Sequence, residues 1–301
     1  MLKYLENKEI DKKRWDESIG NSLNELVYAN SWFLDAVCPG WSAIVDDNYE
    51  ALMPLPLRKK WGISYVFPPI YAQQLGVFYH YDSKNKPEEF LNVIPKHIQH
   101  ISLKLNEYNK LTIKSFWLES TNDNYTLLLN SPYEKLLANY SENTKRNLKK
   151  AIKSHLSLCD ISKDEFLEFK IKNPDKKKYS KELFLVLERL IDTSMKQNVG
   201  RIWAIKDVEG RIHAALFWIC TENRSYYLSP TSSEEGKESR AMFFLVDRII
   251  HAQSDKMHVL DFQGSNIESI ARFYKGFNSE KSLYLSLSLN RLPWPLKLIK
   301  P

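Results

Sequence analysis

The chain reads as a mixed α/β protein, an α+β architecture with a mixed sheet, and as one plan laid down twice. Three observations predict this. Short apolar runs bounded by turn residues alternate with stretches of helical periodicity. With a shift of 162 residues the second half falls on the first, so that Trp41 meets Trp203, Tyr65 meets Tyr227 and Pro68 meets Pro230 without a gap. The stretch Glu238 to Gln253 carries two apolar stripes, one through Ala241, Phe244, Leu245 and Ile249 and one through Met242, Phe243, Val246 and Ile250. A helix apolar on both sides is buried on both sides.

The elements follow in order. Leu2 to Leu5 is a short strand and Asp11 to Ile19 a polar helix. Ala43 to Val45, Ala51 to Leu57 and Ile63 to Phe67 read as a meander, with Asp46-Asp47-Asn48 and Lys59-Lys60-Trp61-Gly62 supplying the turns. Phe90, Ile94, Ile98, Ile101 and Leu105 lie near helical spacing and predict a helix from Pro87 to Leu105, bent at Pro95. Strands at Leu111 to Leu118 and Tyr125 to Leu129 come next, then a helix from Tyr133 to His155 that joins the halves. The second copy has strands at Ile202 to Ile205, Ile212 to Cys220, Ser225 to Leu228, Met257 to Gln263 and Leu283 to Leu289, with helices at Glu238 to Gln253 and Ile267 to Tyr274. No linker of Pro or Gly separates the copies, and the division is placed between residues 138 and 139, giving domains 1–138 and 139–301.

A chain of 301 residues has room for two such domains, and 43% hydrophobic residues supply their cores. Three scattered cysteines without a C-x-x-C pair suggest neither a disulfide framework nor a zinc site. His97 and His100, three apart on the predicted helix, have no carboxylate motif beside them, so no metal is expected. The N-terminus lacks an apolar signal core and the longest apolar runs, such as His213 to Cys220, are too short to span a bilayer, so a cytoplasmic protein is expected. There is no G-x-S-x-G elbow, P-loop or dinucleotide fingerprint. A net charge of +6 permits an anionic partner. The basic residues cluster at Arg58-Lys59-Lys60, on one helix face at Lys145, Lys149 and Lys153 with Arg146 and Lys150 beside it and Leu148 and Ile152 inward, and in a lysine-rich stretch from Lys170 to Lys181 read as an exposed loop.

The most informative segment is DFQGSNIESIARFYKGFN, from Asp261 to Asn278: a strand end, a Gly-Ser-Asn turn and an amphipathic helix. Its Asn266, Ala271, Tyr274, Gly276 and Phe277 resemble the last motif of the GNAT acyltransferase superfamily. The two-residue step from Tyr274 to Gly276 is shorter than is common there, and is more similar to the Fem-type aminoacyl transferases, a branch with two tandem GNAT-like domains. Asn143 to Ala151 resembles the basic helix of that branch where its domains join, and Leu52 to Pro56 with Gln73 to Gly76 resembles its first-domain segments.

The resemblance implies two tandem GNAT-like domains and transfer of an acyl group to an amine. It makes Tyr274 the acid that protonates the leaving group and Asp261 the group that draws off a proton. A tyrosine among Phe273 and Phe277 is equally a packing residue, and Asp261 equally a turn cap. The donor side falls on Gly236, Lys237, Arg240 and Asn266, in and after a turn whose Glu234, Glu235 and Glu238 suit a pyrophosphate poorly. The acceptor and its phosphates fall to Arg58, Lys60, Gln73, Gln74, Lys145, Arg146 and Lys149. The expected donor is aminoacyl-tRNA, with acetyl-CoA as the alternative; no firmly bound cofactor and no DNA contact are expected. The acceptor is a small or nucleotide-linked amine, such as one on a cell-wall precursor. A non-catalytic binding protein of the same double fold is the reading from another class.

Overall fold

The computed structural model describes residues 1–81, 86–111, 117–174 and 181–294. Strand β1 (Leu2–Leu5) is followed by helix α1 (Lys12–Gly20), started by Asp11 accepting from the Arg14 N–H, and by α2 (Ser31–Val37). The expected meander becomes four strands, β2 (Ser42–Asp46), β3 (Ala51–Leu55), β4 (Leu57–Lys60) and β5 (Ile63–Val66). Pro56, which has no N–H for a ladder, cuts the middle strand in two: β3 pairs with β2, while β4 pairs with β5 in a different sheet.

After β6 (Phe78–Tyr79) and α3 (Pro87–Asn92) comes β7 (Ile98–Lys104), so the helix expected to reach Leu105 stops at Asn92 and His100 lies on a strand. The misleading spacing has a cause. Ser64 lies opposite Ile98 and Tyr65 opposite His100, so Gln99 is an extra residue in β7. That bulge buries both Ile98 and Ile101, three apart as on a helix.

Of the strand expected at Leu111 to Leu118, residues 112–116 lie outside the described residues; β8 runs from Leu118 to Leu128. The predicted joining helix is two helices, α4 (Tyr133–Ala138) and α5 (Glu142–Lys153). Ser141 restarts the helix by accepting from the Thr144 N–H, while its own N–H donates to the Gly276 carbonyl. Strand β9 (Ser157–Asp160), helices α6 (Lys163–Lys172) and α7 (Lys181–Lys196), and strands β10 (Gly200–Lys206), β11 (Ile212–Cys220) and β12 (Arg224–Ser232) follow. The helix expected from Glu238 is α8 (Glu234–Ser239) and α9 (Ala241–Gln253), which meet at Arg240 in the left-handed region with φ 63°. Strand β13 (Val259–Asp261), helix α10 (Glu268–Lys275) and strand β14 (Glu280–Asn290) complete the order. Among the described residues no helix is long and apolar enough to cross a membrane.

Two compact units result. One holds Met1–Asn122 together with the described residues from Leu283 onward, and the other holds Asp123–Ser282. In the first unit β1, β2, β3 and β6 form one sheet, and β4, β5, β7 and β14 lie side by side in another. In the second the order is β8, β13, β12, β11, β10, β9. The repeat is visible here: β5 pairs with β7 in parallel, as β12 does with β13, and each pair is flanked by an antiparallel strand, β14 beside β7 and β8 beside β13. Those flanking strands are exchanged, since β14 comes from the second half of the sequence and β8 from the first. The units therefore divide at 122/123 and 282/283 rather than at 138/139.

In the first unit Ile44, Met53, Val66, Phe90, Ile101 and Leu287 are centred in one core; in the second, Tyr125, Leu148, Trp218, Leu245, Ile249 and Phe262 share another. Helix α9 packs on α5 and on β10 and β11, as its double stripe requires. Its buried Asp247 accepts from the hydroxyls of Tyr133 at 2.9 Å and Tyr140 at 3.3 Å and pairs with Arg248. Burial and that carboxylate raise both phenols above their usual range.

His258 is buried, with Nε2 2.7 Å from the Ser225 hydroxyl and Nδ1 3.1 Å from the Glu222 carbonyl. Burial holds its imidazole below the ordinary value, so the folded chain keeps it neutral where the unfolded chain takes up a proton. Stability is then fully present above about pH 6.5 and is lost as pH falls through the depressed folded value. Burial lowers His100 in the same direction. We expect the urea midpoint to fall between pH 7.5 and 5.5, and to fall less steeply in a His258→Gln variant; equal slopes would contradict the assignment.

Candidate functional site

The parallel pairing of β12 and β13 is short. It runs from Arg224 opposite Val259 to Tyr226 opposite Asp261, where β13 ends while β12 continues along β11. Just past that point Tyr227 lies opposite Trp218 and Ser229 opposite Phe217, leaving Leu228 as an extra residue. A bulge of this kind bends and twists the strand that carries it, and here it re-aims β12 where its neighbour stops. Asp261 secures the foot of the opening. Fully buried, it accepts from Arg224 Nη1 at 2.9 Å and from the Gln263 N–H at 2.8 Å, with Gln263 at φ 58°.

Above this foot lies a cleft of about 690 Å³, within the 300–1,000 Å³ typical of small-molecule sites. The end of β12 (Tyr227, Pro230, Thr231, Ser232), helix α8 (Glu234, Gly236, Lys237), Arg240, and Met242 and Phe243 of α9 form its walls. Ser269, Ile270, Phe273 and Tyr274 of α10 close one side, and Asn173 and Pro174 the rim. The Tyr274 ring stacks on Phe262 at 4.9 Å and meets Tyr227 edge-on at 6.0 Å. Its hydroxyl has no hydrogen-bond partner among the described residues. Burial, and then the charge of Asp261, push the phenol well above its usual range, so it carries its proton at neutral pH. A neutral phenol in an apolar cleft is a proton donor for whatever negative charge develops beside it.

Four of the predicted residues, Tyr274, Gly236, Lys237 and Arg240, thus meet in one cleft. Gly236 has its reason in the protein rather than in a ligand: a Cβ there would lie 1.7 Å from the His213 carbonyl oxygen, so glycine lets α8 settle onto β11. Lys237 pairs with Glu234 at 2.6 Å, and Arg240 Nη1 donates to the Lys237 carbonyl at 3.1 Å. Gly276 likewise serves packing, since a Cβ there would lie 2.3 Å from Thr144 Oγ1. Asp261 supports the cleft from below without lining it, and Asn266 is outside, accepting from the Asp123 N–H at 3.2 Å.

The remaining candidates are elsewhere. Lys145, Arg146 and Lys149 lie on α5, where Lys145 pairs with Glu142 at 3.1 Å. Ile152, expected to point inward, is 55% exposed. In the first unit Arg58 and Lys60 lie on β4, with the Lys60 ammonium 4.6 Å from the Trp61 ring centroid. Gln73 and Gln74 are buried; Gln74 accepts from the Glu107 N–H at 3.0 Å and donates to Gln73 at 3.3 Å, so the pair ties a loop together. Around Pro68, the repeat partner of Pro230, a space lined by Pro56, Leu75 and Lys104 among others measures about 10 Å³.

One cleft neighbour escaped sequence reasoning. Lys170, read as part of an exposed lysine loop, is buried on α6 with its ammonium 2.8 Å from Thr231 Oγ1 and 3.3 Å from the Pro230 carbonyl. Residues 175–180 of that stretch lie outside the described residues. The signal was present: Phe166, Phe169 and Lys170 share one face of the helix, and that face is the buried one. Among the described residues no group of three His, Cys, Asp or Glu side chains could hold a metal ion.

No protein-family model and no curated protein matches the chain. Solved structures do. The chain is similar to FemX over 99% of both chains, with a TM-score of 0.68 at 12% identity. It is similar to a tandem GNAT protein from the clavulanic acid biosynthesis pathway over 97% of this chain and 99% of that one, with a TM-score of 0.57 at 8% identity. For L-PGS from Bacillus licheniformis the coverage is 96% and 95%, with a TM-score of 0.56 at 12% identity. The chain therefore has the tandem GNAT fold along nearly its whole length.

Proposed function

We propose that the chain is an N-acyltransferase of Fem type, which takes an aminoacyl group from tRNA in the cleft of the second unit and passes it to an amine. The observation that carries this reading is Tyr274, a protonated phenol whose hydroxyl has no partner among the described residues, in the cleft where β12 leaves β13. The amine nitrogen attacks the acyl carbonyl carbon and a C–N bond forms. The bond from that carbon to the tRNA 3′ oxygen breaks, Tyr274 gives the leaving oxygen a proton, and the proton shed by the amine passes to water, from which Tyr274 is reprotonated.

The choice of donor rests on α8. The Gly236 N–H is already bound to Ser233 Oγ at 3.0 Å. The Glu235 carboxylate is held below its usual range first by its own backbone N–H and then by Ser233. The start of this helix is satisfied by its own side chains, which leaves little for a pyrophosphate and favours a tRNA-linked donor. The acceptor is an amine on a cell-wall precursor or similar cytoplasmic molecule, with Arg58 and Lys60 for its phosphates and the α5 face of Arg146 and Lys149 for tRNA. Acetyl-CoA is the second reading, favoured by the apolar wall of Met242, Phe243 and Phe273, which suits a pantetheine arm.

Titration of the full chain with a mixed pool of charged tRNAs and, separately, with acetyl-CoA tests this. Charged tRNA is expected to raise the melting temperature, with the effect shrinking between about 50 and about 200 mM salt as counterion release weakens binding. A rise with acetyl-CoA alone selects the second reading. No rise with either removes the acyl-transfer proposal and leaves a binding protein.

A further inference from the structure

Lys170 is buried behind the β12 wall of the cleft with 1% of its surface exposed, a costly place for an ammonium unless its hydrogens are used. An ammonium only donates. It donates to Thr231 Oγ1 at 2.8 Å and to the Pro230 carbonyl at 3.3 Å, both on the stretch of β12 that lines the cleft. A threonine hydroxyl that accepts from an ammonium spends a lone pair and keeps its own hydrogen to give away. Among the described residues that hydrogen has no taker. The cation behind it also polarises the O–H bond, strengthening what it donates. The residue before it has no N–H to offer instead, since it is Pro230.

We propose that the Thr231 hydroxyl, oriented and polarised by Lys170, receives the carbonyl oxygen of the acyl donor, with Thr231 as a catalytic residue and Lys170 as a positioning residue. This rests on the acyl-transfer reading. When the amine attacks, the carbonyl π pair moves onto oxygen, and the Thr231 O–H stabilises that charge without giving up its proton. The pair returns to carbon as the bond to the leaving group breaks.

Two ligand pairs, each identical but for the carbonyl, test it on the full chain: amide-linked alanyl-tRNA against its analogue with the carbonyl reduced to CH₂, and acetyl-CoA against S-ethyl-CoA. In the pair that binds, the wild type is expected to prefer the carbonyl member by about five- to tenfold, the worth of one good hydrogen bond. Thr231→Val is expected to lose that preference while keeping its affinity for the carbonyl-free member, and Thr231→Ser to retain it. Lys170→Met, if it folds, is expected to cut the preference at least about twofold; if it does not fold, the two Thr231 variants decide. A merely structural role would weaken both members alike. Equal binding of both members by the wild type, or a preference that survives in Thr231→Val, overturns this inference and leaves acyl transfer intact. Failure of both pairs to bind removes the acyl-transfer reading and this inference with it.

Discussion

Tyr274→Phe is expected to lower the rate of acyl transfer by about 10²- to 10⁴-fold, the usual contribution of a positioned general acid. The ring keeps its place, because what holds it is contact with Phe262, Tyr227 and Tyr125 and not a bond to its hydroxyl. Folding stability is therefore expected to change by no more than about 0.5 kcal/mol, as for a substitution that breaks no interaction. Donor affinity is expected to hold as well, so the loss appears in kcat. Rate and stability falling together would mean that the hydroxyl is structural; a rate within threefold of wild type would mean that the leaving group finds its proton elsewhere. Asp261 allows no such separation, since it holds Arg224 and the Gln263 turn at once.

Gly236→Ala is expected to cost about 3 kcal/mol or more, at the upper end of what overpacking does. The atom in the way is a backbone carbonyl oxygen, that of His213, which already accepts from the Ser233 N–H at 3.1 Å and adjoins the paired Ala214, so it cannot swing aside as the end of a side chain would. Relief must come from α8 lifting away, and α8 carries one wall of the cleft. A control sits at Gly20, the last residue of α1, where an added Cβ meets nothing within 4 Å and the backbone is not left-handed. Gly20→Ala is expected to be neutral or to stabilise by up to about 1 kcal/mol. Guanidinium midpoints for the two variants check both; equal midpoints would contradict the packing account.

The repeat and most strands were legible in the sequence because both rest on periodicity, which a one-dimensional reading can follow. The mistakes arose where geometry interrupts a period. The bulge at Gln99 gave a strand helical spacing, and Pro56 moved the chain between sheets in the middle of one apolar run. The exchange of β8 and β14 could not be seen, because which strand lies beside which is a matter of pairing, and nothing in either strand's composition records it.

The site divides in the same way. Tyr274 is singled out by its motif, and Gly236, Lys237 and Arg240 by their place in the turn after β12, and all four line one cleft. Gly236 was assigned to a ligand when its neighbour is a strand, a distinction only the distance to His213 makes. Lys170 was lost among surface lysines, although the two phenylalanines on its helix face mark the side that turns inward. Asp247 and His258 went unremarked because a buried polar side chain shows itself by its partners, and those are distant in sequence.

An acyl donor is proposed to sit in the cleft of the second unit. Hydrogen exchange on the full chain, with and without saturating charged tRNA, tests it most directly. Slower exchange is expected at Tyr227 to Phe243 and at Ser269 to Tyr274, with acetyl-CoA replacing tRNA under the second reading. Donor binding that leaves both segments unchanged while protecting the first unit would contradict it.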